Sequence, residues 1–179
     1  MDMHCLNDSE VSIEEWEWRK SFFGFGPDDV GRLMDVKPFA DSFVHEVVDE
    51  LYLIFQQHEQ TRIFIQDQKI LTRLKTTQTN YFLDLFSCDY GEEYLRQRLR
   101  IGSVHHHIGL EIEWYLGAYT HYLRLVQPRL MELFGADLEY GLLVFDSMQK
   151  LITLDQSLAV SSYLASKELA IQEKMQISA

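Results

Sequence analysis

Arg100-Ile101-Gly102-Ser103-Val104-His105-His106-His107-Ile108-Gly109-Leu110, with Trp114-Tyr115-Leu116-Gly117-Ala118-Tyr119 close behind, is the stretch on which the reading of this chain turns. Three consecutive histidines close one helical pattern, and a second pattern begins with no room for a long loop. Helical residues one or two apart do not share a face, so the three imidazoles fan out and cannot jointly grip one small ion. At most one of them serves an inward-facing site. His105 shares its stripe with Ile101 and Ile108, with Gly102 and Gly109 leaving room beside it. His106 has Leu99, Gly102, Gly109 and Leu110 around it, and His107 has Arg100, Ser103, Val104 and Glu111. His107 therefore reads as solvent-facing, while the pattern alone does not decide between His105 and His106. For a lone histidine on a mainly apolar face, a hydrogen-bonded core histidine is the commoner explanation.

Composition narrows the field around this stretch. At 179 residues, 46% hydrophobic and 13% aromatic, with only three prolines, the chain is one domain able to bury a core and a small cofactor. Lys plus Arg number 16 against 28 for Asp plus Glu, a formal charge of −12. That charge repels phosphate backbones and anionic lipid, which disfavours nucleic acid and membrane surfaces as partners. Cys5 and Cys88 lie far apart with no CxxC pairing, as expected of reduced thiols in a cytoplasmic protein. Met1-Asp2-Met3-His4 lacks the basic and apolar regions of a leader, and no apolar run approaches the ~20 residues that span a bilayer.

In chain order, Ser12 with Glu15 makes a capping box for a short helix carrying Trp16 and Trp18, interrupted by Phe22-Phe23-Gly24-Phe25-Gly26. Pro27 opens a short helix from Asp28 to Met34 that Pro38 ends, and Phe39 to about Gln57 forms a separate long helix on whose apolar stripe Tyr52 sits. The next helix, about Asp67 to Phe86, has a stripe of Ile70, Leu71, Leu74, Tyr81, Phe82 and Leu85, with Thr77 in its middle. That hydroxyl either bonds back to a carbonyl one turn earlier or meets something polar inside. Helices follow over Gly91 to about His107 and Glu111 to Phe134, the latter with Pro128 as a possible kink. From Asp137 to about Gln176 helical apolar spacing continues with no proline and no glycine after Gly141, well beyond the usual helix length. No alternating strand pattern and no internal repeat is present. The expectation is an all-α fold of about seven or eight helices, and pairwise globin-like packing is one way to house a flat cofactor in it.

Arg-Ile-Gly-x-x-His-x-x-Ile-Gly-Leu followed by Trp-Tyr-Leu-Gly-Ala-Tyr resembles the haem globin domain of bacterial globin-coupled sensors, the group of aerotaxis transducers and oxygen-responsive diguanylate cyclases. The resemblance runs from about Phe39 to Tyr163. It implies a globin fold with an N-terminal extension helix in residues 1–26, a sensor globin domain over 27–163 and a helical linker over 164–179. Its proximal haem ligand falls on His105, the histidine two residues before Ile-Gly-Leu, with Ile101 and Ile108 flanking the cofactor. Its distal tyrosine falls on Tyr52, and Arg73-Leu74-Lys75 matches the distal helix, making Leu74 a packing residue and Thr77 a second possible donor to ligand. Tyr115 falls where the family has a tyrosine near the proximal histidine. The departures are Leu51, where a Phe is common, and His106-His107 beside the ligand.

The function this implies is haem-based gas sensing: haem b held by His105, reversible binding of O₂ (or CO or NO) next to a hydroxyl donor, and no catalysis in this chain. The partner to expect is an output domain such as a diguanylate cyclase or a chemotaxis signalling domain. Surplus apolar surface on the last two long helices predicts a homodimer built from them, with Leu151, Leu154, Leu158 and Tyr163 as candidate contacts. The alternatives are a single-domain globin that turns over NO or O₂ and a haem-free globin-like interaction module. No Gly-rich phosphate loop, HExxH or Ser-His-Asp arrangement points to hydrolytic or transferase chemistry.

Overall fold

The computed structural model describes residues 11–177; Met1 to His4 and Cys5 lie outside the described residues. Seven helices and no strand occur among them. α1 (Ile13–Phe22) starts where Ser12 Oγ accepts the Glu15 amide at 3.1 Å, the cap the sequence announces. Its Trp16 is fully buried and donates from Nε1 to the Tyr90 carbonyl at 2.7 Å, so α1 is pinned to the body of the domain, while Trp18 is left exposed.

α2 (Pro27–Gln57) corrects the expected break at Pro38. Pro27 takes the first turn, and Asp29 Oδ2 accepts the Gly26 amide at 2.9 Å. The helix then runs straight through Pro38 for 31 residues. Proline in a helix interior removes one backbone bond and costs about 3 kcal/mol. Here Leu33, Val36, Ala40, Phe43, Val44 and Val47 are buried on both sides of it. Each large buried side chain contributes about 1.5–3 kcal/mol, so one continuous packed face outweighs a single missing bond.

α3 (Glu59–Arg62) is one turn, and α4 (Gln68–Asp84) begins where Asp67 Oδ1 accepts the Lys69 and Ile70 amides. Along α4 Leu71, Tyr81 and Phe82 are buried as the stripe required, but Ile70 is exposed. α5 (Glu92–His107) ends in a Schellman turn: Gly109 N–H donates to the His106 carbonyl at 3.0 Å and Leu110 N–H to the His105 carbonyl at 3.1 Å. Gly109 has φ +77°, the left-handed conformation that favours glycine. α6 (Ile112–Leu133) follows within a few residues and absorbs Pro128.

α7 (Leu138–Ile177) is 40 residues, roughly 60 Å at 1.5 Å per residue. Its first part is the spine of the core and lies closely on α5, where Gly102 faces Ala159 and Ser162. Leu151, Leu154 and Leu158 are fully buried in the chain's own core. They are therefore not the exposed contacts expected of a dimer seam. Exposed apolar residues on α7 sit towards its ends, among them Leu142, Leu164 and Ile171. No described helix is long and apolar enough to cross a membrane.

Candidate cofactor site

A cavity of about 490 Å³ opens between α2, α4, α5 and α6, with an apolar wall and a few polar groups. His105, Tyr52, Leu74, Thr77, Tyr115, Ile101 and Ile108, all singled out in the sequence, line it. The three histidines separate as the helical geometry demands. His107 is exposed and bonded through Nδ1 to the Ser103 carbonyl at 2.8 Å, and His106 lies edge-on to Tyr163 with ring centroids 5.2 Å apart. Of the three, only His105 reaches the cavity wall.

Two local features set the His105 ring. The Schellman turn closes the helix just past it, and its Nδ1 lies 2.8 Å from the Ile101 carbonyl oxygen. A carbonyl can only accept, so the proton is on Nδ1 and the Nε2 lone pair is free. Burial pushes the His105 pKa down, against the pull of the Ile101 bond, which keeps the imidazole neutral at neutral pH. A neutral imidazole whose far nitrogen is tied to a carbonyl is what a metal ligand requires. Among the described residues no group of three or more His, Cys, Asp or Glu could hold a bare ion. A metal at His105 must therefore bring most of its own ligands, as a porphyrin-bound iron does.

Tyr52 is buried on α2, edge-on to Phe55 at 5.3 Å, and its hydroxyl has no hydrogen-bond partner among the described residues. Burial pushes its pKa up to about 12, so it stays a phenol and keeps a proton to donate. Thr77 Oγ1 instead donates back to the Arg73 carbonyl at 3.0 Å, the local bond expected of a hydroxyl on an apolar stripe. Its proton is already used. Arg100 also lines the cavity, is exposed, and makes no ion pair with a described residue.

The largest feature missed from sequence is a polar chain behind the wall. The Tyr115 ring stands 4.8 Å from the His105 ring, but its hydroxyl pairs with Tyr119 at 2.8 Å. Tyr119 pairs with Tyr81 at 2.9 Å, and Tyr81 donates to Asp155 Oδ2 at 2.8 Å. Each hydroxyl has one proton, so the bonds must run in one direction: Tyr115 to Tyr119 to Tyr81 to Asp155. Tyr94 also donates to Asp155, and Arg98 Nε does so at 3.0 Å. The Arg98 guanidinium lies 4.2 Å from the Tyr81 ring centre and 4.0 Å from that of Tyr94. Burial raises the Asp155 pKa more than these partners lower it. Burial works against the Arg98 charge too, but Asp155 and the tyrosines more than offset that and hold the guanidinium charged. The one available signal was Asp155 itself, a carboxylate set between Leu151, Leu154 and Leu158 on a buried stripe.

Helices packed around an apolar cavity, with one neutral histidine on its wall, define a globin-type cofactor-binding domain. The chain belongs to the Protoglobin family, whose family model matches residues 13–168. It is 33% identical over 177 residues to the "Heme-based aerotactic transducer HemAT" of Halobacterium salinarum, a match covering 93% of this chain and 36% of that relative. The chain thus spans little more than a third of the length of that relative. Its fold matches the globin domain of the Geobacter sulfurreducens globin-coupled sensor with a TM-score of 0.77 at 21% identity, covering 82% of this chain and 96% of that one. Haem is the cofactor to expect of a chain with these relatives.

Proposed function

We propose that this chain is the O₂-binding haem domain of a cytoplasmic gas sensor, with His105 as the only protein ligand to iron. The observation that carries the reading is the presence, in the lining of one cavity, of a free His105 Nε2 and of a Tyr52 hydroxyl with no hydrogen-bond partner among the described residues. Haem supplies the iron that binds the gas. The chain's residues do the rest. His105 would hold the iron through Nε2, with its ring fixed by the Ile101 carbonyl at Nδ1. Leu74, Ile101 and Ile108 would keep water from the apolar wall and Tyr52 would donate to the gas, whereas Thr77 would first have to give up its bond to the Arg73 carbonyl. Arg100, exposed and without an ion pair to a described residue, would be available to pair with a haem carboxylate.

The gas signal would leave through α7, because Asp155 on that helix ends the hydroxyl chain that starts at Tyr115. A two-fold dimer of α6 and α7 is the frame we propose for passing it to an output domain, such as a diguanylate cyclase or chemotaxis signalling domain. The test is a visible spectrum of the haem-reconstituted protein, reduced and then exposed to O₂ and CO, for wild type and three variants. His105→Ala should lose haem or need added imidazole, while His106→Ala and His107→Ala keep the wild-type ferrous spectrum. Loss confined to His106→Ala refutes the assignment.

A further inference from the structure

The cavity wall holds more phenol than ligand binding uses. Tyr81, Tyr115 and Tyr119 all line the cavity, and their hydroxyls form the one-way chain that ends on a buried carboxylate. Beyond Asp155 the aromatic path continues, since Tyr94 donates to the same carboxylate and stacks on Trp16 with ring centroids 6.3 Å apart. A phenol loses an electron readily only if its proton leaves at the same time, because the oxidised phenol is a very strong acid. Of the three tyrosines on the cavity wall, Tyr81 is the one whose hydroxyl meets a carboxylate directly, at 2.8 Å. Arg98 reinforces the requirement: its positive charge over the Tyr81 ring opposes a cationic ring and leaves the neutral radical as the accessible product.

We propose that Tyr81, with Asp155 as its proton acceptor, is a one-electron relay that refills the haem site after hydrogen peroxide has oxidised it. The proposal rests on the haem reading above. Over the whole cycle peroxide takes up two electrons and two protons and ends as two waters, and of the two electrons the cofactor must recover, an external one-electron reductant supplies one and Tyr81 the other. Tyr81 returns one of those electrons; its O–H bond breaks, the proton moves to Asp155 Oδ2, and a neutral tyrosyl radical and a neutral carboxylic acid remain. Burial, which raises the Asp155 pKa, favours the acid form. Arg98 stays charged and buried with its partner neutralised, so the proton returns from Asp155 to Tyr81 as soon as an external one-electron reductant supplies an electron. The radical is a transient, and the porphyrin is spared the damage that trapped oxidising equivalents cause.

The experiment starts from ferric holoprotein whose visible spectrum shows bound haem; a protein that takes up no haem fails the earlier reading and never reaches this test. One equivalent of hydrogen peroxide is added, the sample is frozen within milliseconds, and the organic radical is read by electron paramagnetic resonance. A tyrosyl signal that narrows with ring-deuterated tyrosine is expected, with its yield cut several-fold in Tyr81→Phe. Equal yield and line shape in Tyr81→Phe overturns the proposal. A second arm uses the unaltered chain with zinc protoporphyrin, photo-oxidised by an external electron acceptor, so that neither iron nor peroxide takes part. Recovery of the oxidised porphyrin should be slower in D₂O than in H₂O, because a proton moves with the electron. Equal rates in the two solvents sink the Asp155 role even if Tyr81→Phe fails to fold.

Discussion

Gly102→Ala isolates the packing that ties the proposed ligand helix to the long C-terminal helix. A Cβ at this position would stand 1.8 Å from the Ala159 carbonyl oxygen, 2.7 Å from the Ala159 carbonyl carbon and 2.2 Å from Ser162 Oγ. Ser162 can rotate away, but the Ala159 oxygen belongs to the α7 backbone and cannot. Carbon and oxygen come no closer than about 3.3 Å in a favourable contact, so α5 and α7 must part by roughly 1.5 Å. Overpacking of a well-filled core costs about 1–3 kcal/mol, and a clash with backbone belongs at the upper end. Alanine returns about 1 kcal/mol through its better helix propensity. The net loss is about 2 kcal/mol, or a melting temperature lower by about 4–8 °C for a domain of this size. Gly117→Ala on α6 is the control, since an added Cβ there meets nothing within 4 Å and should leave stability unchanged or raised. Calorimetry of the two variants decides the matter: a Gly102→Ala protein that melts with or above wild type refutes the close approach of α5 and α7. The same separation would disturb Ser103, whose hydroxyl accepts from Ser166 on α7 at 3.0 Å, and His105 one turn on.

Other perturbations probe separate parts of the structure. Tyr52→Phe should speed O₂ dissociation by roughly 10- to 150-fold, because a hydrogen bond to a partly charged acceptor contributes about 1.5–3 kcal/mol; stopped-flow replacement of O₂ by CO measures it, and an unchanged rate removes Tyr52 as the donor. Asp29 gives the pH prediction. Burial pushes its carboxyl up, but the Gly26 amide, the Ser147 hydroxyl and Lys150 outweigh burial and hold its pKa below the ordinary value of 3.8. A depressed folded pKa means stability that is present above about pH 4 and lost as pH falls through the folded value. Asp29→Asn should therefore be less stable at neutral pH and lose less of its remaining stability between pH 4 and pH 2, a contrast that urea titrations at several pH values would show or deny. Sedimentation at micromolar concentration should find twice the 21.1 kDa chain mass, and Leu142→Asp with Leu164→Asp should return it to monomer; a wild-type monomer with haem bound ends the dimer proposal.

What was legible in the sequence was local. The Ser12 cap, the helix start near Asp67, the helix end at the histidines and the outward-facing His107 depend on residues within five positions of one another. Helical periodicity put Tyr52, Leu74 and the Ile101–His105–Ile108 stripe each on the apolar side of its own helix, while the resemblance to globin-coupled sensors implied that they share the one cavity they line. The break expected at Pro38 was also a local inference, and it failed because the forces that override a proline come from other helices. Leu151, Leu154 and Leu158 show the same limit from the opposite side. Periodicity shows that such a stripe is buried, but not whether the chain's own helices or a second copy bury it.

The tyrosine chain lay out of reach for a sharper reason. Its members are 38 and 74 positions apart along the sequence, and each phenol taken alone is an ordinary core aromatic on an apolar stripe. Only Asp155 breaks its own local rule, since a carboxylate in the middle of a leucine stripe must have partners to stay buried. Those partners are Arg98 from α5, Tyr81 from α4 and Tyr94 from α5, so that one residue of α7 gathers the helix of His105 and the helix opposite it. Removing one member of a buried pair costs about 3–5 kcal/mol, far more than a surface ion pair contributes, because the charge left behind has no solvent. A residue that expensive to bury is best understood through what it joins: the hydroxyls on the cavity wall at one end and the longest helix of the chain at the other.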